Sequence, residues 1–258
     1  MAQPTGKLKG TKEWSNHSVN CVTGCRHDCR YCYAKAMAAR FGRADRSEWK
    51  YPTVRFKDVN KERQKRSGTV MFPTSHDITP EVLDPCLTVL EKLLSAGNKV
   101  LLVSKPHYDC LTEITDLATK YQDLITFRFT ITAESDDLLT FWEPGAPGFE
   151  ERLACLKQAY FKGFETSLSI EPCLDFNGLN SLIRACEGFV TGAIWIGKMN
   201  RIKNRVSDDG IDIEEEVNRV QESQSRESLL KIYNTHKNHP QVRWKSSLKD
   251  ILKSVSGI

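Results

Sequence analysis

Cys25-Arg26-His27-Asp28-Cys29-Arg30-Tyr31-Cys32-Tyr33 carries three thiols within eight residues, with three and then two positions between them. Thiolates crowded in this way repel one another or cross-react unless a metal or a disulfide neutralises them, so the stretch is a chemical site first. Two readings follow from three thiolates. A zinc knuckle would recruit a fourth ligand, from Cys21 or His27, and close a tetrahedral structural site. A [4Fe–4S] cluster held by three cysteines would leave one iron open, as a catalytic cluster requires.

The remaining composition sets the context. The chain has 258 residues, 40% hydrophobic and 27% charged, enough for a full core in one domain of α/β-barrel size. A formal charge of +4 is mildly basic and does not by itself select a nucleic-acid partner. Nine cysteines, an odd number, behind a polar N-terminus without an apolar segment, argue for a reducing, cytoplasmic setting. No apolar run approaches the length of a membrane span, so no membrane is expected.

Outward from the cysteines, residues 1–17 read as an N-terminal arm with a lone Trp14, and 18–22 as a short first strand that delivers the cysteine loop. Residues 34–41 favour a helix. Residues 42–67 form a basic insertion in which Trp49, Tyr51 and Phe56 interleave with Arg55, Lys57, Lys61, Arg63, Lys65 and Arg66. That pattern fits either a solvated helix and loop or an edge that tracks phosphates and stacks bases. Beyond Gly68, strands at 69–72, 99–104, 124–132, 165–171 and 190–196 alternate with helices from 79, at 109–121, 149–161 and 180–186. The connection 133–148, with Glu143-Pro144-Gly145-Ala146-Pro147-Gly148, reads as irregular. Strand and helix in alternation are the parallel-sheet pattern, and six strands suggest an incomplete (β/α)6 barrel over 18–200. Residues 201–258 read as a helical C-terminal extension packed on the barrel, with 241–244 as a candidate edge strand.

Ligands of parallel α/β folds collect at the C-terminal ends of the strands. That rule groups the cysteine loop with Thr74-Ser75-His76-Asp77, Ser104-Lys105, Ala133-Glu134-Ser135, Glu171 with Cys173, and Gly197-Lys198. Lys105, fixed by Pro106 after an apolar strand, projects its ammonium over the barrel mouth, where a ligand carboxylate would offset burial; the alternative is a lysine reaching solvent. His27 reads as a neighbour of the metal ligands, since two cysteines one turn away make its own ligation awkward. His76 and His107 are acid–base or substrate-contact candidates, or hydrogen-bonded loop histidines.

The cysteine spacing, with an aromatic before the last thiol, resembles the cluster motif of the radical S-adenosylmethionine (SAM) enzymes. Its context is similar to the spore photoproduct lyase and DNA repair photolyase-like branch. Phe72-Pro73-Thr74-Ser75-His76-Asp77, Val103-Ser104-Lys105-Pro106-His107-Tyr108-Asp109, and Glu143-Pro144-Gly145-Ala146-Pro147 with Glu151-Arg152-Leu153 resemble that branch's later blocks, in order, so that the resemblance covers 18–180.

The resemblance implies an α/β partial barrel of the radical SAM type. It implies a [4Fe–4S] cluster on Cys25, Cys29 and Cys32, S-adenosylmethionine on the open iron, and an external one-electron donor of flavodoxin or ferredoxin type. By the same analogy Lys105 pairs with the SAM carboxylate, Ser75 contacts its amino-acid part, Tyr31 lies against the cofactor, and Glu134 or Ser135 reaches the ribose. Tyr31 and Tyr33 match tyrosines that relay hydrogen in the lyase. The lyase has a hydrogen-donating cysteine where this chain has Pro73, so its reaction is not expected; Cys173 is the replacement donor by position, or else a packed residue. The expected substrate is DNA, RNA or a nucleotide, with a small molecule or peptide as the alternative and a non-catalytic zinc module as the second.

Overall fold

A computed structural model of the protein describes residues 9–206 and 210–256. Residues 1–8 of the expected arm, and 207–209 and 257–258 of the expected extension, lie outside the described residues. Among the described residues, seven parallel strands form one sheet in chain order. They are β1 (His17–Ser18), β4 (Thr69–Phe72), β5 (Lys99–Ser104), β6 (Ile125–Thr130), β7 (Glu165–Ile170), β8 (Ile194–Ile196) and β9 (Val242–Trp244). A separate antiparallel ribbon pairs β2 (Val22–Thr23) with β3 (Thr53–Val54).

The helices between them are α1 (Tyr33–Arg40), α2 (Phe56–Asn60), α3 (Leu83–Ser95), α4 (Tyr108–Ala118), α5 (Asp136–Trp142), α6 (Phe149–Phe161), α7 (Leu179–Cys186), α8 (Ile202–Arg205), α9 (Glu214–Ser223), α10 (Arg226–His236) and α11 (Ser246–Ser256). None is long and apolar enough to cross a membrane.

Local chemistry accounts for these elements. β5 carries an apolar run, Val100 to Leu102, because a parallel strand is covered on both faces. α3 buries Leu83, Cys86, Val89, Leu90, Leu93 and Leu94, a helical stripe, and Gly97 at φ +75° ends it. Phe72, Phe127, Phe129, Leu168, Ile170 and Ile194 fill the centre of one continuous core.

Three features depart from the sequence reading. The first strand ends at Ser18, because residues 22–23 leave the sheet to pair with β3 of the basic insertion. The insertion is therefore part of the framework, and its Trp49 is buried against Cys25, Ala34 and Ala38. The connection 133–148 contains α5, started by Ser135, whose hydroxyl accepts from the Leu138 amide; the prolines and glycines break only its second half. The sheet has seven strands where six were expected, because the candidate edge strand at 241–244 forms as β9 and joins the barrel through Ile194↔Val242 and Ile196↔Trp244.

The N-terminal lead-in packs as well. Trp14 lies with the Lys245 ammonium 3.9 Å and the Arg128 guanidinium carbon 4.7 Å from its ring centroid. Lys245 also donates to the Gly10 carbonyl at 2.7 Å and pairs with Glu13 at 3.2 Å.

Candidate functional site

β2 hands the chain to the cysteine loop through Gly24, at φ +91°, where a Cβ would stand 2.7 Å from the Trp49 carbonyl oxygen. That carbonyl accepts from the Cys25 amide at 2.8 Å. Only glycine fits both the dihedral and the space. Asp28, at φ +45°, turns the loop again and pairs with the buried Lys35 ammonium at 2.8 Å. Cys32 then caps α1, its sulfur accepting from the Lys35 amide at 3.4 Å, while the Asp77 amide points to the Cys25 sulfur at 3.4 Å.

A second segment braces the loop. The Arg30 amide and guanidinium donate to the carbonyls of Trp142 and Phe141, at 3.0 and 2.8 Å, and the Gly145 amide donates to the His27 carbonyl at 3.1 Å. A Cβ on Gly145 would lie 2.2 Å from the Arg26 carbonyl oxygen. Glu143, fully buried, accepts from the Tyr31 hydroxyl and from Thr132 at 2.9 Å, and pairs with Arg152 at 2.5 Å. Burial pushes its carboxyl up, but Arg152 and Lys105 together hold it below the usual carboxylate range. The Glu143 to Pro147 block thus locks the cysteine loop and the Tyr31 ring in place.

Next to the thiols runs a chain of polar side chains. Asp77 accepts from the Lys105 amide at 3.0 Å and pairs with its ammonium at 3.3 Å. It also accepts from the Ser104 hydroxyl at 3.0 Å and meets His27 Nδ1 at 2.8 Å; His27 Nε2 meets His107 Nε2 at 2.9 Å. Burial lowers the tendency of Lys105 to stay charged, yet Asp77 leads a set of groups that raise its pKa well above the ordinary value. Burial likewise opposes ionisation of Asp77, and Lys105 with His27 reverses it, leaving a carboxylate well below its usual range.

These residues border a cavity of about 480 Å³. Cys25, Cys29, Cys32, Tyr31, Tyr33, Ser75, Asp77 and Lys105 all line it, joined by Pro73, Thr130, Ser169, Glu171, Lys198, Arg205 and the lead-in from Lys9 to Trp14. Glu134, Ser135 and Cys173 are not among the lining residues. β6 ends at Thr130, so the chain has left the cavity by residue 134, and Ser135 is occupied as the α5 cap. Cys173 is fully buried beneath the following loop, its amide on the Gly197 carbonyl at 2.8 Å.

The donor set can be weighed against each metal. Burial first, with Asp77 next, pushes the Cys25 thiol up to about 12; burial also raises Cys29 and Cys32. The two amide N–H groups aimed at sulfur suit metal-bound thiolates, whose charge a bound cation offsets. Neither expected fourth zinc ligand completes a tetrahedron. The Cys21 sulfur turns into the core, 3.7 Å from the Cys86 sulfur. Cys25, His27 and Asp77 could bring ligand atoms within 4.8 Å of one another, but both His27 nitrogens are already in hydrogen bonds. The set fits a three-thiolate cluster with an open side on the cavity.

Sequence reasoning missed two parts of this site. Asp77 stood in a strand-end block but carried no assignment, and its pairing with Lys105 at 3.3 Å gives the buried ammonium an anionic partner within the chain. Glu143 was visible only as part of a proline- and glycine-rich turn.

No protein-family model matches the chain. An uncharacterised protein of Acidianus two-tailed virus is 25% identical over 167 residues, covering 60% of this chain and 55% of the relative. An uncharacterised protein of Methanocaldococcus jannaschii is 25% identical over 170 residues, covering 65% and 62%. The chain therefore spans little more than half the length of these curated relatives. Among solved structures, spore photoproduct lyase complexed with dinucleoside spore photoproduct superposes with a TM-score of 0.59 at 16% identity, over 93% of this chain and 79% of the lyase. A double variant of that lyase with bound AdoMet and the dinucleoside gives 0.55 at 16%, over 88% and 75%. The likeness is one of fold: this chain has the radical SAM partial-barrel fold of spore photoproduct lyase.

Proposed function

We propose that the protein is a radical SAM enzyme acting on a nucleic acid or nucleotide. The observation that carries the reading is the convergence of Cys25, Cys29 and Cys32 on the same cavity wall as the buried Lys105 ammonium. Held there, a [4Fe–4S] cluster with SAM would supply one-electron cleavage of the sulfonium and a 5′-deoxyadenosyl radical that takes a hydrogen atom from the substrate.

The chain's own residues set the conditions for that chemistry. Lys105 presents a cation to a cofactor carboxylate, with Asp77 fixing its backbone and its charge. Ser75 adds a hydroxyl beside it. Glu143 holds the Tyr31 phenol by accepting its hydroxyl, fixing the ring at the cavity wall. The Tyr33 hydroxyl donates to the Thr74 carbonyl, and both residues line the cavity beside the cysteines. Electrons come from an external flavodoxin- or ferredoxin-type donor.

The neighbouring lyase structure carries a dinucleoside, which supports a nucleotide-containing substrate here. Pro73 lines the cavity without a transferable hydrogen, so the reaction differs from that of the lyase in how the substrate radical is quenched. The test is anaerobic reconstitution, iron and sulfide analysis, and mass spectrometry after incubation with SAM and dithionite. Bound iron with 5′-deoxyadenosine formation supports the reading; a colourless protein with one tightly held zinc, or no 5′-deoxyadenosine, overturns it.

A further inference from the structure

We infer that the outer face of α1, with α8 beside it, is a track for single-stranded nucleic acid leading into the cavity. The inference rests on the substrate reading above and adds where the strand runs and in what form it is bound. Tyr33, Met37 and Phe41 are 41%, 39% and 58% exposed. Their spacing of four places them in one row along the helix. Trp49 packs on Ala34 and Ala38, while Tyr33, Met37 and Phe41 lie outside both buried core clusters among the described residues.

Cations border that row. The guanidinium carbons of Arg40 and Arg43 lie 5.7 and 5.5 Å from the Phe41 ring centroid. α8 packs beside α1 and brings Arg201, Lys203 and Arg205, its last turn tied down by Arg46, which donates to the Arg205 carbonyl at 3.3 Å. Asp45 and Glu48 are the acidic residues between 40 and 51, against Arg40, Arg43, Arg46 and Lys50. Tyr33 and Arg205 belong both to the track and to the cavity lining, so the surface runs unbroken to the thiols.

The form of the ligand follows from the same features. Flat apolar groups flanked by arginines stack on base faces while the cations follow the phosphates, and a duplex hides those faces. The cavity that holds the thiols opens beside this surface through Tyr33 and Arg205, so a base turned out of its stack can be presented at its mouth. The basic run of the insertion does not share this surface. Arg55 spends its guanidinium on the Asn20 carbonyl and Asp58, at 2.7 Å each, and Arg63 on the Asp58 carbonyl at 2.6 Å. Asn98, just before β5, accepts from the Arg66 amide at 2.9 Å and donates to the Gln64 carbonyl at 3.3 Å, so the 61–66 end of that run, with Lys61 and Lys65, lies at the strands' N-terminal ends, away from the cavity.

Fluorescence anisotropy with a fluorescein-labelled oligothymidylate of about a dozen nucleotides, on the reconstituted protein, tests this. Phe41→Ala should weaken binding at least roughly fivefold. Arg40→Glu with Arg43→Glu should weaken it more, and flatten the log–log salt dependence by about 0.7 for each phosphate no longer neutralised. Lys61→Glu with Lys65→Glu should leave binding unchanged, and a duplex should bind without sensitivity to Phe41→Ala. Absence of salt-dependent binding overturns the inference, as does binding that responds to Lys61 and Lys65 but not to Phe41, Arg40 and Arg43. Variants that keep oligonucleotide binding but slow reduction by a flavodoxin would assign the face to an acidic donor protein instead, and also overturn it. Formation of 5′-deoxyadenosine with dithionite is scored on the same samples. Its absence removes the proposed function, whereas its presence without oligonucleotide binding removes only the track.

Discussion

His27 Nδ1 lies 2.8 Å from Asp77 Oδ2, across fifty residues of sequence, and this contact joins the cysteine loop to the lysine at the end of β5. With Lys105 on one side and His27 on the other, Asp77 is the junction through which the thiols and the ammonium keep a fixed relation. Asp77→Asn retains the shape and removes the charge, leaving the buried Lys105 uncompensated. The expected cost is about 3 kcal/mol, within the range for breaking a buried ion pair. Urea denaturation of the metal-free variant checks it; an unchanged midpoint would show that Lys105 finds another partner.

Gly145→Ala tests the brace. A Cβ 2.2 Å from a backbone oxygen cannot be relieved by a side-chain rotation, so either the 143–147 turn or the cysteine loop must move. We expect a loss of roughly 1–3 kcal/mol and lower iron content after reconstitution. Full iron content at wild-type stability would mean that the two segments are not rigidly coupled.

Cys21→Ala separates the two metal readings. Cys21 contacts Cys86 in the core, away from the three loop thiols, so the variant should bind a full complement of iron and lose about 1 kcal/mol from packing. Metal loss in proportion to the substitution would place Cys21 among the ligands.

Acid should unfold the protein partly through Glu143. Its carboxyl titrates below the ordinary range in the folded state and near 4 when unfolded, so its contribution is present above about pH 4 and is lost as pH falls through the folded value. Glu143→Gln should be less stable at neutral pH by roughly 3 kcal/mol, because Arg152 is left buried and unpaired. It should also show a shallower decline of stability below pH ~4. Chemical denaturation of both proteins between neutral and acid pH reads the difference.

Much of this molecule could be read in advance. β5 and α6 stand at the residues their apolar patterns indicate, 99–104 and 149–161, and the three thiols meet at one site because they share one loop. What could not be read depends on contacts between distant segments. His27, Asp77 and His107 come from three strand ends, and no local pattern says which histidine turns toward which carboxylate. Glu134 and Ser135 were given a ribose contact by analogy with the resembled family; β6 ends at Thr130, Ile131 and Ala133 are buried in the core, and Ser135 caps α5, a local role that an analogy does not reveal. α5 did leave a signal, a serine followed by two aspartates and then Leu138, Leu139 and Trp142, a start and a buried face that the later prolines obscured.

Lys245 gives the order of assembly a physical meaning. It reaches Gly10, Glu13 and Trp14 at one end of the sequence and, at 3.5 Å, Glu171 just after the fifth strand of the sheet. During synthesis the cysteine loop leaves the ribosome more than two hundred residues before the lysine that seats the facing wall. The lead-in from Lys9 to Trp14 lines the cavity and is seated by Lys245, so that part of the wall depends on a residue from the far end of the sheet.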